Sequence, residues 1–262
     1  MRAVTFTGST RVGAGIAAQA AAEFKKVSLE LGGKNATIVM ADADWEVSLP
    51  ELVRSAFTNQ GQVCLCGSRI LVQRPIYEAF RDAMVQRVSR LVLGDPRDEA
   101  TEQGALVSRA HLEKVLGCLA LAREEGARVL VGGEQILPEG RCANGYFVAP
   151  TLLEGLGPAC RTNQEEIFGP VATLIPFDTA DEAIAIANGT RYGLSASVWT
   201  RDVSVAHRMA AELKAGMVWI NCWMVRDLRT PFGGTGASGV GREGGFEAMR
   251  FFTEPKNVTI RL

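Results

Sequence analysis

The chain has 262 residues, 47% of them hydrophobic and 22% charged, which suffices for one large or two modest domains around a real core and excludes general disorder. Twenty-eight Lys and Arg against 29 Asp and Glu leave a net charge of −1, so no basic field exists to gather nucleic acid or anionic lipid. There is no apolar run of about 18 residues, no signal-peptide pattern and no dense cysteine framework, so a cytoplasmic protein with free thiols is expected, without nucleic-acid or membrane partners.

In chain order, Ala3–Thr7 reads as a strand, and after Gly8-Ser9-Thr10 an alanine-rich stretch to about Phe24 reads as a helix. Residues 27–31 form a second strand closed by Gly32-Gly33, completing one βαβ unit of a parallel sheet. Tyr77, Phe80, Met84, Val88 and Leu91 recur at steps of three and four, marking an amphipathic helix that ends before Gly94-Asp95-Pro96. Leu112, Val115, Leu119 and Ala122 repeat that pattern ahead of a strand at Arg128–Val131. The alternation continues through 172–177, 180–187, 195–200, 203–213 and 216–221, which predicts an α/β fold with a parallel sheet and helices on both faces. After the glycine-rich segment 231–245, residues 257–262 alternate like a strand, which needs a partner sheet in this chain or in another subunit.

Three segments could carry chemistry. In Gly61-Gln62-Val63-Cys64-Leu65-Cys66 a cysteine follows a glycine bend that could place it at a helix N-terminus, where the dipole lowers a thiol's pKa. By position alone, a buried structural thiol is the commoner outcome. Glu30 stands in an apolar strand, either exposed on one face or held at low dielectric, where its pKa rises toward general-base range; taken alone, exposure is the commoner outcome. Gly8-Ser9-Thr10-Arg11-Val12-Gly13 turns from strand to helix, where free N–H groups can meet a phosphate, although it is neither a P-loop nor G-x-G-x-x-G. Cys64-x-Cys66 and the distant His111 and His207 give no zinc spacing, so no metal site is expected.

These segments occur in one order with compatible spacing, and the chain resembles the NAD(P)-dependent aldehyde dehydrogenases. Leu29-Glu30-Leu31-Gly32-Gly33-Lys34-Asn35 is similar to that family's glutamate motif and Gly61-Gln62-Val63-Cys64 to its cysteine motif. Agreement continues through Gly94-Asp95-Pro96, Gly145 to Thr151, Glu165-Glu166-Ile167-Phe168-Gly169-Pro170, Tyr192 to Ala196, and Pro231 to Gly239. The resemblance implies an aldehyde dehydrogenase catalytic domain with a remnant of a Rossmann-type cofactor domain. Its expected division is 1–32 cofactor-domain remnant, 33–232 catalytic domain, 233–250 return segment and 251–262 oligomerisation strand.

The resemblance further implies Cys64 as nucleophile, Glu30 as the base for hydrolysis, Glu166 and Phe168 at the nicotinamide ribose, and Gly8, Ser9 and Gly13 along the pyrophosphate. Cys66 is expected to be structural and Asn59 to support the loop. NAD is the expected cofactor, with NADP not set apart by any residue of the chain, and a small aldehyde the substrate. Hydride transfer from a thiohemiacetal on Cys64 would leave a thioester that Glu30 hydrolyses through water.

In Asn221 to Arg229, where relatives commonly carry apolar or aromatic residues, Arg226 and Arg229 stand three apart, and an arginine fork suits a carboxylate-bearing semialdehyde. The segment is similar to that of the muconic-semialdehyde dehydrogenases, while surface or interdomain salt bridges are the plain alternative. Family members are much longer at the N-terminal end, so two readings stay open. One is a catalytic portion, forming homo-oligomers through the terminal strand. The other is a truncated, inactive homologue or gene-model fragment that serves at most as an oligomer partner.

Overall fold

The computed structural model describes all 262 residues. Strand β1 (Ala3–Thr7), helix α1 (Thr10–Ala22) and strand β2 (Lys26–Glu30) form the expected βαβ unit, with β1 and β2 parallel. Ser9 starts α1 by accepting the Val12 N–H at 3.4 Å, which satisfies one of the helix's orphan donors. Gly13 is buried in that helix because an added Cβ would stand 2.5 Å from Leu31 Cδ2, so only a bare Cα lets α1 lie this close to the end of β2.

The chain then enters a second sheet. Strand β3 (Ala36–Val39), helix α2 (Trp45–Phe57), strand β4 (Arg69–Gln73), helix α3 (Tyr77–Val88) and helix α4 (Arg109–Glu124) lead to strand β5 (Arg128–Val131). A small hairpin, β6 (Gln135–Ile136) with β7 (Phe147–Val148), precedes β8 (Thr151–Glu154), α5 (Arg161–Gln164), β9 (Val171–Phe177) and α6 (Ala180–Asn188). Strands β10 (Tyr192–Gly193) and β11 (Ser195–Trp199), helix α7 (Val203–Glu212) and strand β12 (Met217–Ile220) follow, and β13 (Thr235–Gly236), β14 (Gly239–Val240) and helix α8 (Gly245–Phe252) close the order.

Seven strands form one sheet in the order β12-β11-β3-β4-β9-β8-β5, parallel except for β5 at its edge. Both faces are covered, which is why β3 and β4 read as continuous apolar runs rather than as alternation. From β4, Ile70 and Val72 face a core with Phe57, Phe80 and Met84 of α2 and α3, whereas Leu71 faces a second core with Ile184 of α6 and Met209 of α7. Arg69, 1% exposed, donates to the Lys34 carbonyl at 2.9 Å and to the Ile186 and Ala187 carbonyls at 2.7 and 2.8 Å, tying the end of α6 to the sheet.

The βαβ unit belongs to a separate three-stranded sheet, β1-β2-β14, in which β14 returns antiparallel and pairs Gly239 with Glu30. Residues 257–262, expected as a strand, form none: no sheet of the chain takes them, and Val258, Ile260 and Leu262 lie exposed. A single alternating segment has no hydrogen-bonding partner of its own. The helix through Tyr77 ends at Val88 rather than running to Leu91.

Candidate active site

The connection 31–35 carries the chain from the small sheet to the large one, and the expected site residues gather along it. An open cleft of about 540 Å³ is lined by Gly8, Ser9, Glu30, Gly32, Cys64, Glu166 and Phe168, together with Gln62, His111 and Lys114. Of the expected residues, Gly13, Arg226 and Arg229 stand outside this lining, and Gly13 packs on Leu31.

Glu30 ends β2 with 5% exposure, so the apolar strand holds it inside rather than on a free face. Its backbone is fixed from three directions: the Gly8 N–H donates to its carbonyl at 3.0 Å, Gly239 pairs with it, and the neighbouring Leu31 N–H donates to Ser238 at 2.9 Å. Its Oε1 is buried without a hydrogen-bond partner. Desolvation, reinforced by the charge of Glu243 and opposed by Arg242 and Arg226, raises the carboxyl from 4.5 to about 7.

Cys64 does not sit at a helix N-terminus. Helix α2 ends at Phe57, and a left-handed run follows at Asn59 (φ 51°), Gln60 (φ 57°) and Gly61 (φ 67°) before the turn that contains Cys64. No helix dipole acts on the thiol. Burial, then the charges of Glu166 and Glu30, push it up to about 11, against the pull of its own backbone N–H and of Arg226. Cys66 is buried, with Sγ 3.8 Å from the Thr58 carbonyl, and burial raises its thiol to about 12, which fits the structural role expected of it.

Asn35 holds the cysteine turn to this connection. Its Nδ2 donates to the Cys64 and Cys66 carbonyls at 2.7 and 2.9 Å, while its Oδ1 accepts the Ser195 N–H at 3.2 Å. Glu166 Oε1 accepts the Gly33 N–H at 3.1 Å, and its carboxylate lies so close to Gly32 that an added Cβ would meet Oε2 at 2.2 Å. Burial raises the Glu166 pKa, opposed by the Gly33 N–H and by Lys114 and Lys34. The sequence reading gave no role to Asn35, His111 or Lys114. Asn35 stood inside the quoted glutamate motif, but nothing local marks a partner 29 residues away.

The two arginines do not form a fork. Arg229 Nε lies 2.9 and 3.0 Å from the Asp227 oxygens, so this side chain, 88% exposed, is spent on a local pair. Arg226 instead stacks its guanidinium 4.1 Å above the Phe232 ring, and its charge reaches both Glu30 and Cys64. Trp223, inside the same segment, is buried and donates Nε1–H to the Leu65 carbonyl at 3.1 Å, seating the segment on the cysteine turn.

A buried carboxyl poised near neutrality and a half-buried thiol share one cleft with a second carboxylate and a glycine-lined strand-to-helix turn, a set of groups able to supply a base and a nucleophile. The family model described as "Aldehyde dehydrogenase family" matches residues 1–258, and the chain belongs to that family. It is 49% identical over 261 residues to a 2-aminomuconic semialdehyde dehydrogenase of Danio rerio, covering 98% of this chain and 53% of that protein. It is 45% identical over 262 residues to a 2-hydroxymuconic semialdehyde dehydrogenase of Pseudomonas sp. (strain CF600), covering 100% of this chain and 54% of that protein. Among solved structures, a point mutant of an aldehyde dehydrogenase from Bacillus cereus superposes with a TM-score of 0.93 at 42% identity, over 97% of this chain and 51% of that one. A betaine aldehyde dehydrogenase of Staphylococcus aureus in complex with NAD+ gives 0.91 at 39%, over 95% and 49%. The chain thus spans about half the length of the curated relatives it matches.

No helix is long and apolar enough to cross a membrane.

Proposed function

We propose that the chain is the catalytic portion of an NAD-dependent aldehyde dehydrogenase acting on a carboxylate-bearing semialdehyde, with 1–32 and 233–250 as its share of the cofactor-binding side. The observation that carries this reading is the convergence of Cys64, Glu30 and Glu166 on one cleft. The cleft fits a dinucleotide: the Gly8-Ser9 turn offers the start of α1 to a phosphate, and Glu166 keeps Oε2 free of protein hydrogen bonds for a ribose hydroxyl, with Phe168 beside it. When bound, NAD supplies the hydride acceptor.

The chain's own residues account for the remainder. Cys64 gives up its thiol proton to water of the open cleft and attacks the aldehyde carbon as thiolate, forming a C–S bond, and the Cys64 backbone N–H, which bonds no carbonyl, is assigned to the oxyanion. Oxidation leaves a thioester on Cys64. Glu30 as carboxylate then takes a proton from the water that attacks the thioester carbon, and the C–S bond breaks to release the acid and return the thiol. A carboxyl near pKa 7 is ionised in about half the molecules at neutral pH, which suits a general base. Arg226, the cation whose charge acts on both Glu30 and Cys64, is assigned to the substrate's distal carboxylate, with Arg229 at the outer edge of the same segment. The named activities of the muconic-semialdehyde relatives support this substrate class. The exposed alternation of Val258, Ile260 and Leu262 supports pairing of the terminal segment between copies in a homo-oligomer.

The test is NADH formation by the 262-residue chain with a carboxylated semialdehyde and with a neutral aldehyde. Cys64→Ala is expected to abolish it, and Glu30→Gln to give a burst followed by a stall; steady turnover in either variant overturns the roles. Arg226→Met is expected to raise KM for the carboxylated aldehyde about tenfold or more with little effect on the neutral one, and Arg229→Met to do far less. An equal effect of Arg226→Met on both substrates removes the carboxylate assignment.

A further inference from the structure

The tripeptide 166–168, which the proposed function places against the cofactor, is held by the first turns of α4, whose His111 and Lys114 line the same cleft. His111 and Lys114 stand three residues apart on that helix, on one face. Lys114 Nζ donates to the Glu166 carbonyl at 3.1 Å, and His111 Nε2 lies 2.6 Å from the Phe168 carbonyl. A carbonyl can only accept, so His111 carries its proton on Nε2. Phe168 has φ 59°, a left-handed conformation that a bulky residue adopts only when its surroundings impose it. The His111 ring also meets the Phe168 ring edge to face, with centroids 6.0 Å apart. The next residue, Gly169, lies against the cysteine turn, where a Cβ on Gly61 would come within 2.0 Å of the Gly169 carbonyl. The imidazole therefore grips the one strained carbonyl between the Glu166 carboxylate and the Cys64 turn.

The geometry points to His111 as a positioning residue: by donating Nε2–H to the left-handed Phe168 carbonyl it fixes the Glu166–Phe168 turn for nucleotide binding, without itself taking part in the chemistry. This rests on the reading of Glu166 and Phe168 as cofactor contacts. Without the bond the Phe168 carbonyl is free to turn toward the ordinary helical or extended region, and the turn loses its fixed position in the cleft.

Two measurements on the full chain test it. The chain holds only two histidines, His111 and His207, so ¹⁵N imidazole spectra are assigned with the His207→Gln variant. The expected result is an N–H resonance for His111 Nε2 whose proton resists solvent exchange; an unprotonated or freely exchanging Nε2 overturns the proposal whatever the nucleotide does. NADH titration by fluorescence then compares His111→Ala, expected to bind about tenfold more weakly, with His111→Gln, whose amide N–H restores a donor and is expected to stay within about threefold of the parent chain. Glu166→Gln serves as the independent control. If it weakens NADH while His111→Ala and His111→Gln bind alike, the positioning role fails and the cofactor reading stands. If Glu166→Gln leaves NADH binding unchanged, the cofactor reading of this turn fails, and the His111 role in nucleotide binding falls with it.

Discussion

Replacing Glu30 by Gln should make the chain more stable, and only above a definite pH. The native carboxyl titrates near 7 because burial disfavours its charge, whereas in the unfolded chain it titrates near 4.5. Below pH 4.5 both states hold the proton and no penalty exists. Between 4.5 and 7 the unfolded state gives up its proton while the native state keeps it, so native stability falls as pH rises; above 7 the native carboxyl ionises too and the loss levels off. At 1.36 kcal/mol per pKa unit the full loss is about 3 kcal/mol. Glutamine has nearly the same shape and no charge, and Oε1 surrenders no hydrogen bond because it makes none. The unpaired amide that replaces it costs about 1 kcal/mol at every pH. Glu30→Gln should therefore be level with the parent or slightly below it at pH 4.5, and about 2 kcal/mol above it at pH 8.5, near 4 °C in Tm for a domain of this size. Urea denaturation of both chains across that range measures the difference directly, since every other titrating group is common to both. A stability difference that stays flat with pH would mean that Glu30 is hydrated in the native chain, and its assignment as a base near neutrality would fall with it.

The Cys64 thiol, held near 11 by burial and by Glu166 and Glu30, should react slowly with iodoacetamide at pH 7.5, with a rate that climbs about tenfold per pH unit toward pH 10. Peptide mass spectrometry reads the rate at this one cysteine, and a plateau already at pH 8 would refute the electrostatic account. Asn35→Ala removes three hydrogen bonds from the 31–35 connection to β11 and the cysteine turn and should cost about 3 kcal/mol in urea denaturation while speeding alkylation of Cys64; a loss below about 1 kcal/mol would show that the turn is held elsewhere. Gly61→Ala places a Cβ 2.0 Å from the Gly169 carbonyl at a left-handed φ of 67° and should lower Tm by about 6 °C or more; a Tm within 2 °C of the parent would contradict the tight contact between the two loops.

Periodicity carried the helices well where a single face is buried. Leu112, Val115, Leu119 and Ala122 of α4 are all in the core, as their spacing requires. It overran α3, because Leu91 is buried by the loop after the helix rather than by the helix itself. The unpaired 257–262 segment shows a further limit: alternation marks a strand but does not supply its partner. At the site, motif spacing singled out Cys64 and Glu30 but misjudged the surroundings of Cys64. A glycine bend before a cysteine suggests a helix start, yet here Asn59, Gln60 and Gly61 turn left-handed after α2 has ended, a conformation that propensity does not foresee for Gln. Asn35 and His111 act through partners 29 and 57 residues away, and Arg229 was diverted by Asp227 two residues off, so only coordinates separate it from Arg226.

The site is a seam between two sheets, and that explains why its parts come from both ends of the chain. Glu30 belongs to the small sheet, whose third strand is supplied by Gly239 and Val240, more than 200 residues later. Cys64 belongs to the large sheet's side, between α2 and β4, and Glu166 to the loop before β9. Neither sheet alone presents the Glu30 carboxyl and the Cys64 thiol together. What sets their spacing is the five-residue connection 31–35, pinned at four of its residues: Leu31 to Ser238, Gly33 to Glu166, Lys34 to Arg69, and Asn35 to the cysteine turn. Three of these four ties use backbone groups of the connection, so substitutions along it act through shape rather than through lost side-chain chemistry. A side chain at Gly32 would meet the Glu166 carboxylate first, so under the proposed function position 32 is where a substitution should weaken nucleotide binding, and, by moving the Glu166 charge, shift the Cys64 thiol as well.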